Sequence, residues 1–203
     1  METLIYLVRH GETLWNCEQR LQGQLDSPLT ETGIKQATRL AYYLSSLSFA
    51  AIYSSDMERA IHTTRIITSQ NDQRTVFYDE RIRERHFGKF QGLTWAEISQ
   101  KYPEEAAKEL SGSPMNVVPG GESKHHLLSR TRVFFEDVVH LHPGKKILVI
   151  SHGGVVNVWV RYVLQIPLDM PRRFHLGNST VNIFEYSENK WYLKTLGEVP
   201  CKP

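Results

Sequence analysis

Leu4-Ile5-Tyr6-Leu7-Val8-Arg9-His10-Gly11-Glu12-Thr13 begins as an apolar run and ends on a basic pair, a glycine and two polar residues. The run reads as a buried strand. Arg9 and His10 then stand at the carboxyl edge of a sheet, where open α/β folds build their ligand crevices. There an arginine offers a planar fork of donors to phosphate or carboxylate oxygens, and a neutral histidine offers a nucleophilic or proton-accepting lone pair. The alternative is a strand that merely ends in exposed basic residues. The segment by itself does not separate the two readings, so the decision falls to matching groups elsewhere in the chain.

Length and composition set the frame for that search. A chain of 203 residues fits one domain, 1–203, with a sizeable core. Lys+Arg 24 against Asp+Glu 22 leaves a formal net charge of +2, which speaks against a general polyanion-binding surface while leaving room for a local basic pocket. Nucleic acid is therefore not an expected partner. Cys17 and Cys201 have neither CxxC nor metal-ligand spacing, which fits a reducing cytoplasm better than a disulfide framework. No stretch approaches the roughly 18 apolar residues of a membrane span, so no membrane association is expected.

Strand patterns alternate with helix patterns along the chain, the signature of βα units around a mostly parallel sheet. Ala37, Leu40, Ala41, Leu44 and Leu47 recur at helical spacing, with Thr30 as the cap. Ala50 to Tyr53 reads as a strand ending at Ser54-Ser55, followed by a helix through Ala60, Thr63, Thr64 and Ile67. Val76-Phe77-Tyr78 is a short strand candidate. Thr94 with Glu97 forms a capping-box pattern. After Pro119-Gly120-Gly121-Glu122-Ser123, read as a helix start that also has the makings of a pocket rim, Leu127, Leu128, Thr131, Phe134, Phe135, Val138 and Val139 share one helix face. Pro143-Gly144 ends that helix, and Ile147-Leu148-Val149-Ile150 runs into Ser151-His152-Gly153-Gly154, which repeats the opening design. Val181–Tyr186 and Trp191–Leu196, joined by Ser187-Glu188-Asn189-Lys190, read as a hairpin that places antiparallel pairing at an edge. The expected class is α/β, a three-layer α/β/α sandwich.

Three strand ends now supply a constellation. Arg9 and His10 follow the first strand, Arg59 lies just after the second, and His152 follows a later one. If those strands are neighbours in one parallel sheet, two histidines and two arginines converge on one crevice. Gly11, Gly153 and Gly154 would then allow close backbone approach, and helix N-termini would add donors. Each residue alone has a bland reading: Arg59 pairing with Glu58 or Asp56 on a solvated helix, His152 as a satisfied core histidine. Together they read as a phosphate site. His125-His126 and His140-x-His142 lie on or beside a helix with no carboxylate or cysteine cluster nearby, so they read as a solvated face and no metal site is assigned.

Leu7-Val8-Arg9-His10-Gly11-Glu12-Thr13 with Asn16, Ser54-Ser55 followed by Arg59-Ala60, Glu84 in Arg83-Glu84-Arg85, and Ser151-His152-Gly153 resemble the histidine phosphatase superfamily in its phosphoglycerate-mutase-like branch. Pro28-Leu29-Thr30, Gly33 and Ala37 match that branch too, and the likeness runs over nearly the whole chain. The resemblance implies His10 as the nucleophile that becomes a phosphohistidine, its second ring nitrogen donating to a backbone carbonyl. It implies Arg9, Arg59 and His152 on the phosphoryl oxygens, with Asn16, Gln22, Gly23 and Gly153 as further phosphate-binding positions. Glu84 is implied as the acid that protonates the leaving oxygen and then as the base that activates water. Whether Arg81, Arg83 and Arg85 turn inward toward Glu84 is left open. No cofactor is implied.

The activity so implied is that of a phosphoric monoester hydrolase of the histidine acid phosphatase type, acting on a small phosphorylated metabolite. Broad-specificity and alpha-ribazole-phosphatase-like phosphatases are among the enzymes it resembles. Glu84-Arg85-His86-Phe87-Gly88 also resembles the 2,3-bisphosphoglycerate-dependent phosphoglycerate mutases, but the span from Gly88 to Gly120 is short for their added covering segment. Hydrolysis is therefore the expectation, with mutase action as the alternative and a non-catalytic phosphate-binding module as the alternative of another class. A helical, lid-like insertion is expected at about 86–122, where Phe87, Trp95, Tyr102, Leu110 and Met115 make either an apolar pocket or ordinary core. A homodimer is left open.

Overall fold

The structure is a computed structural model that describes residues 1–69 and 75–199. Six strands form one sheet: β1 (Thr3–Arg9), β2 (Ala51–Ser54), β3 (Val76–Tyr78), β4 (Lys146–Ser151), β5 (Val181–Ser187) and β6 (Lys190–Glu198), in the order β3-β2-β4-β1-β5-β6. β1 to β4 run parallel, β5 runs antiparallel to β1, and β6 runs antiparallel to β5. The expected antiparallel edge is thus two strands wide. β2 and β1 flank β4 in one parallel sheet, which is the neighbourhood the constellation required.

The helices are α1 (Leu14–Cys17), α2 (Glu31–Ser45), α3 (Glu58–Thr68), α4 (Trp95–Lys101), α5 (Pro103–Leu110), α6 (Lys124–Leu141) and α7 (Gly153–Val163). Alternation along β1 sorts them into two layers, because successive side chains leave a strand on opposite faces. Tyr6 and Val8 pack with Leu40 and Leu44 of α2 and with Ala60 and Ile67 of α3. Ile5 and Leu7 pack on the other side with Phe134 and Phe135 of α6 and Val156 and Trp159 of α7. A strand buried on both faces has no room for polar alternation, which is why the opening run is apolar throughout.

Local signals explain the element ends. The Thr30 hydroxyl accepts the Gly33 amide at the start of α2 (2.9 Å), and Thr94 with Glu97 forms a reciprocal capping box at α4. Ser123 caps α6 through the His126 amide (3.0 Å). Leu47 lies beyond the end of α2, although it still packs against that helix's apolar cluster. The hairpin turn is the two residues Glu188 and Asn189, both at positive φ (50° and 58°), the backbone a tight two-residue turn needs to follow the strand twist.

Between Arg85 and Gly121, α4 and α5 close over a small apolar cluster of Phe90, Ile98, Ala106 and Val118, joined by Leu21, Phe87, Leu93 and Tyr102. Tyr102 stacks on Phe90 with ring centroids 6.0 Å apart. Leu110 and Met115 are exposed and line neither this cluster nor the cavity described below, so the five apolar residues of this segment do not act as one set.

Candidate active site

Register brings the site together. Arg9 pairs with Ser151 across β1 and β4, the His10 amide donates to the Ser151 carbonyl (2.9 Å), and the Ser55 amide donates to the Ile150 carbonyl (2.9 Å). His10, His152 and Ser55 therefore leave three adjacent strands abreast. The two imidazole centroids are 5.3 Å apart. Above them lies a cavity of about 280 Å³ lined by Arg9, His10, Asn16, Gln22, Gly23, Arg59, Glu84 and Gly153. His152 is fully buried beneath it.

His10 Nδ1 lies 2.7 Å from the Gly11 carbonyl oxygen. A carbonyl only accepts, so Nδ1 carries the proton and Nε2 keeps its lone pair. Nε2 in turn receives Arg59 Nε at 3.3 Å. Burial, then the charges of Arg59 and Arg9, hold His10 well below the ordinary imidazole range against the Gly11 bond, so the ring is neutral at neutral pH.

Arg59 is the second residue of α3 and its side chain is 1% exposed. Its Nη1 donates to the Leu25 carbonyl (2.7 Å) and to Asp26 Oδ1 (2.6 Å), and its Nη2 to the Gly23 carbonyl (2.7 Å). The partner is thus Asp26, and not the neighbouring Glu58 or Asp56. Asp26 also accepts the Glu58 and Arg59 amides (3.1 and 3.3 Å), so one carboxylate both caps α3 and aims its guanidinium. Gly23, at φ 55°, holds a backbone conformation that other residues rarely adopt, and a Cβ there would push Gln91 Oε1, 2.2 Å away, out of place. Arg9 donates from Nη1 to the Leu176 carbonyl (2.7 Å), while its buried Nε has no partner among the described residues.

His152 Nε2 meets the Ser55 hydroxyl at 2.8 Å. Its buried Nδ1 also lacks a partner among the described residues. Burial, then Arg59 and His10, hold its pKa well below the usual range. Two buried nitrogens without a partner among the described residues, Arg9 Nε and His152 Nδ1, thus belong to residues packed about the same cavity.

Glu84 reaches the cavity from the opposite wall. Oε1 accepts the Arg85 amide (2.7 Å) and Oε2 the Gly154 amide at the start of α7 (2.9 Å). A side chain at Gly154 would displace the carboxylate, because a Cβ would lie 1.9 Å from Oε1. The flanking arginines do not turn toward the carboxylate. Arg81 pairs with Asp79 and Asp137, Arg83 with Asp56, and Arg85 with Glu109.

Asn16 and Gln22 also line the cavity. Asn16 Oδ1 accepts from the Thr13 amide (3.1 Å) and Asn178 Nδ2 (3.2 Å), leaving its own amide group to donate; Gln22 Nε2 is tied to Thr13 Oγ1 (2.8 Å). None of Gly120 to Ser123 lines the cavity, so this stretch is a helix start and not a rim. Asp26, Asn178 and Arg172 are site residues that sequence reasoning missed. All three lie in irregular segments, where no periodicity or strand end marks them. Among the described residues no three His, Cys, Asp or Glu side chains gather as metal ligands, and His142 instead bonds the Tyr53 hydroxyl (2.9 Å).

Residues 5–199 match the family described as the histidine phosphatase superfamily (branch 1). The chain belongs to the histidine phosphatase superfamily. Among its relatives, phosphoglycerate mutase-like protein 4 of Arabidopsis thaliana is 37% identical over 200 residues, covering 96% of this chain and 85% of the relative. The metal-independent phosphoserine phosphatase of the same plant is 35% identical over 199 residues, covering 97% and 82%. The solved structure of Bacillus stearothermophilus YhfR superposes with a TM-score of 0.90 at 33% identity, covering 97% of this chain and 98% of that one. The mixed sheet is thus that of a histidine phosphatase. No described helix is long and apolar enough to cross a membrane.

Proposed function

We propose that this histidine phosphatase hydrolyses a small phosphomonoester without a metal, through a phosphohistidine on His10. The observation that carries the reading is the 2.7 Å bond from His10 Nδ1 to the Gly11 carbonyl, which fixes the tautomer whose Nε2 is the nucleophile. Nε2 attacks phosphorus and the bond to the ester oxygen breaks. The ring becomes cationic while phosphorylated, and the Gly11 carbonyl faces the proton that carries that charge. Arg9, Arg59, His152 and Asn16 hold the phosphoryl oxygens, with the Gly153 amide at the α7 N-terminus. Gln22 and Gly23 act one step back, Gly23 through its carbonyl on Arg59. Positioning and charge stabilisation supply most of the rate in such a scheme.

Glu84 gives its proton to the leaving oxygen, then takes one from the water that attacks the phosphohistidine; the N–P bond breaks and His10 returns neutral. Its two amide bonds hold both oxygens in place, and each keeps a second lone pair for the proton in transit. The shortness of the helical segment at about 86–122 supports hydrolysis over return of the phosphoryl group to a second substrate. The presence of His10, Arg59, Glu84 and His152 together supports an enzyme over a binding module. Phosphate release from p-nitrophenyl phosphate in EDTA is the test: the wild-type protein turns over and His10→Ala does not. Turnover by His10→Ala refutes the nucleophile, and reversible loss in EDTA refutes the metal-free scheme.

A further inference from the structure

One cation at the cavity has neither a place in that scheme nor a counter-charge among the described residues. Arg172 lies in the segment between α7 and β5, which is anchored to the site at two points: Leu176 accepts from Arg9 (2.7 Å) and Asn178 donates to the His10 carbonyl (3.1 Å). Four arginines line the cavity, Arg9, Arg20, Arg59 and Arg172, against the single carboxylate of Glu84. Two of them carry their own counter-charge, Arg59 in Asp26 (2.6 Å) and Arg20 in Glu18 and Glu97 (2.8 and 2.7 Å). Arg9 is partly buried and held by a backbone carbonyl. Arg172 is exposed at the rim and makes no ion pair or hydrogen bond with any described residue. It is nevertheless close enough to be felt. Burial first, and then the charges of Arg172 and Arg59 against the opposing effect of Glu84, push Arg9 below its ordinary range.

A rim arginine is commonly a solvated charge, worth little. Here it stands at the cavity with no counter-charge of its own among the described residues, and an unpaired cation at the mouth of a basic site attracts and holds anions. The floor cations Arg9 and Arg59 suffice for the phosphoryl group. What remains at the rim faces the organic part of the ester. Resting on the phosphomonoesterase reading above, we infer that Arg172 selects substrates bearing a second anionic group, a carboxylate or a second phosphate, on the part that leaves.

Matched pairs test this. Glycerol 3-phosphate and 3-phosphoglycerate differ by a carboxylate, and fructose 6-phosphate and fructose 1,6-bisphosphate by a phosphate. Each is titrated as a competitor of p-nitrophenyl phosphate turnover by the wild type, Arg172→Gln and Arg172→Lys. The inhibition constant of at least one second-anion compound should rise about tenfold in Arg172→Gln, the scale of a hydrogen bond between charged groups at a wet site. Its partner should change less than about twofold, and Arg172→Lys should recover part of the difference. Which pair responds identifies the second anion. An equal rise for both members of each pair, or no rise for any, overturns the inference. Failure of the wild type to turn over p-nitrophenyl phosphate instead refutes the phosphomonoesterase reading.

Discussion

Adding one methyl group at Gly154 should disarm the enzyme while leaving it folded. The built Cβ lies 1.9 Å from Glu84 Oε1 where ordinary contact begins near 3.4 Å, so the carboxylate must move by about 1.5 Å. Glu84 is the end of a flexible side chain and can swing away, so the cost falls on its position and not on the fold. Gly154 is in the first turn of α7, where alanine is intrinsically better than glycine by up to about 1 kcal/mol. Misplacing a reacting group by about 1 Å costs on the order of 10² in rate, near the lower end of what a general acid contributes. We therefore expect Gly154→Ala to lose about 10² in kcat/KM on glycerol 3-phosphate, about 2.7 kcal/mol of barrier, with an unchanged or raised Tm. On p-nitrophenyl phosphate, whose leaving group needs little proton assistance, the loss should stay below about tenfold. A variant that hydrolyses the alkyl ester within about threefold of the wild type would refute the placement of Glu84 as acid.

Removing the acid itself should show the same asymmetry more strongly. Glu84→Gln loses about 10² to 10⁴ on poor leaving groups and less on activated aryl phosphates, and equal losses on both in steady-state kinetics count against the role. Acid should also destabilise the fold through the two buried imidazoles. His10 and His152 are held well below 6.5 by burial first and by neighbouring positive charge second, so the unfolded chain binds more protons than the native one between the folded pKa and about 6.5. Native stability therefore falls as pH drops below about 6.5, by up to about 1.4 kcal/mol per pH unit for each histidine. Urea melts of the wild type and His152→Gln between pH 7 and 5 should show the variant with a shallower decline; parallel declines refute the assignment of this proton uptake to His152.

Much of this arrangement is legible in the residues because strand ends are. An apolar run buried on both faces is easy to recognise, and the residue after it is forced to the sheet's carboxyl edge, which is how His10 and His152 declare themselves. Arg59 is readable as the second residue of the helix that follows β2. Its anchor Asp26 is not, since that contact spans 33 residues and joins a loop to a helix start. Glu84 is found by resemblance only, and its orientation depends on the Gly154 amide across the sheet edge, which no local pattern encodes. The strand order and the closeness of Arg172 to Arg9 arise from long-range packing, where sequence spacing carries no information.

The covalent intermediate is tested most directly in Glu84→Gln protein turning over p-nitrophenyl phosphate, because the activated ester phosphorylates His10 readily while loss of the base slows its hydrolysis. Rapid quench followed by peptide mass spectrometry should place a phosphoryl group on His10, rising in step with a burst of nitrophenolate and absent from His10→Ala. Turnover with no burst and no phosphoryl group on His10, or with the group on another residue, would contradict the account.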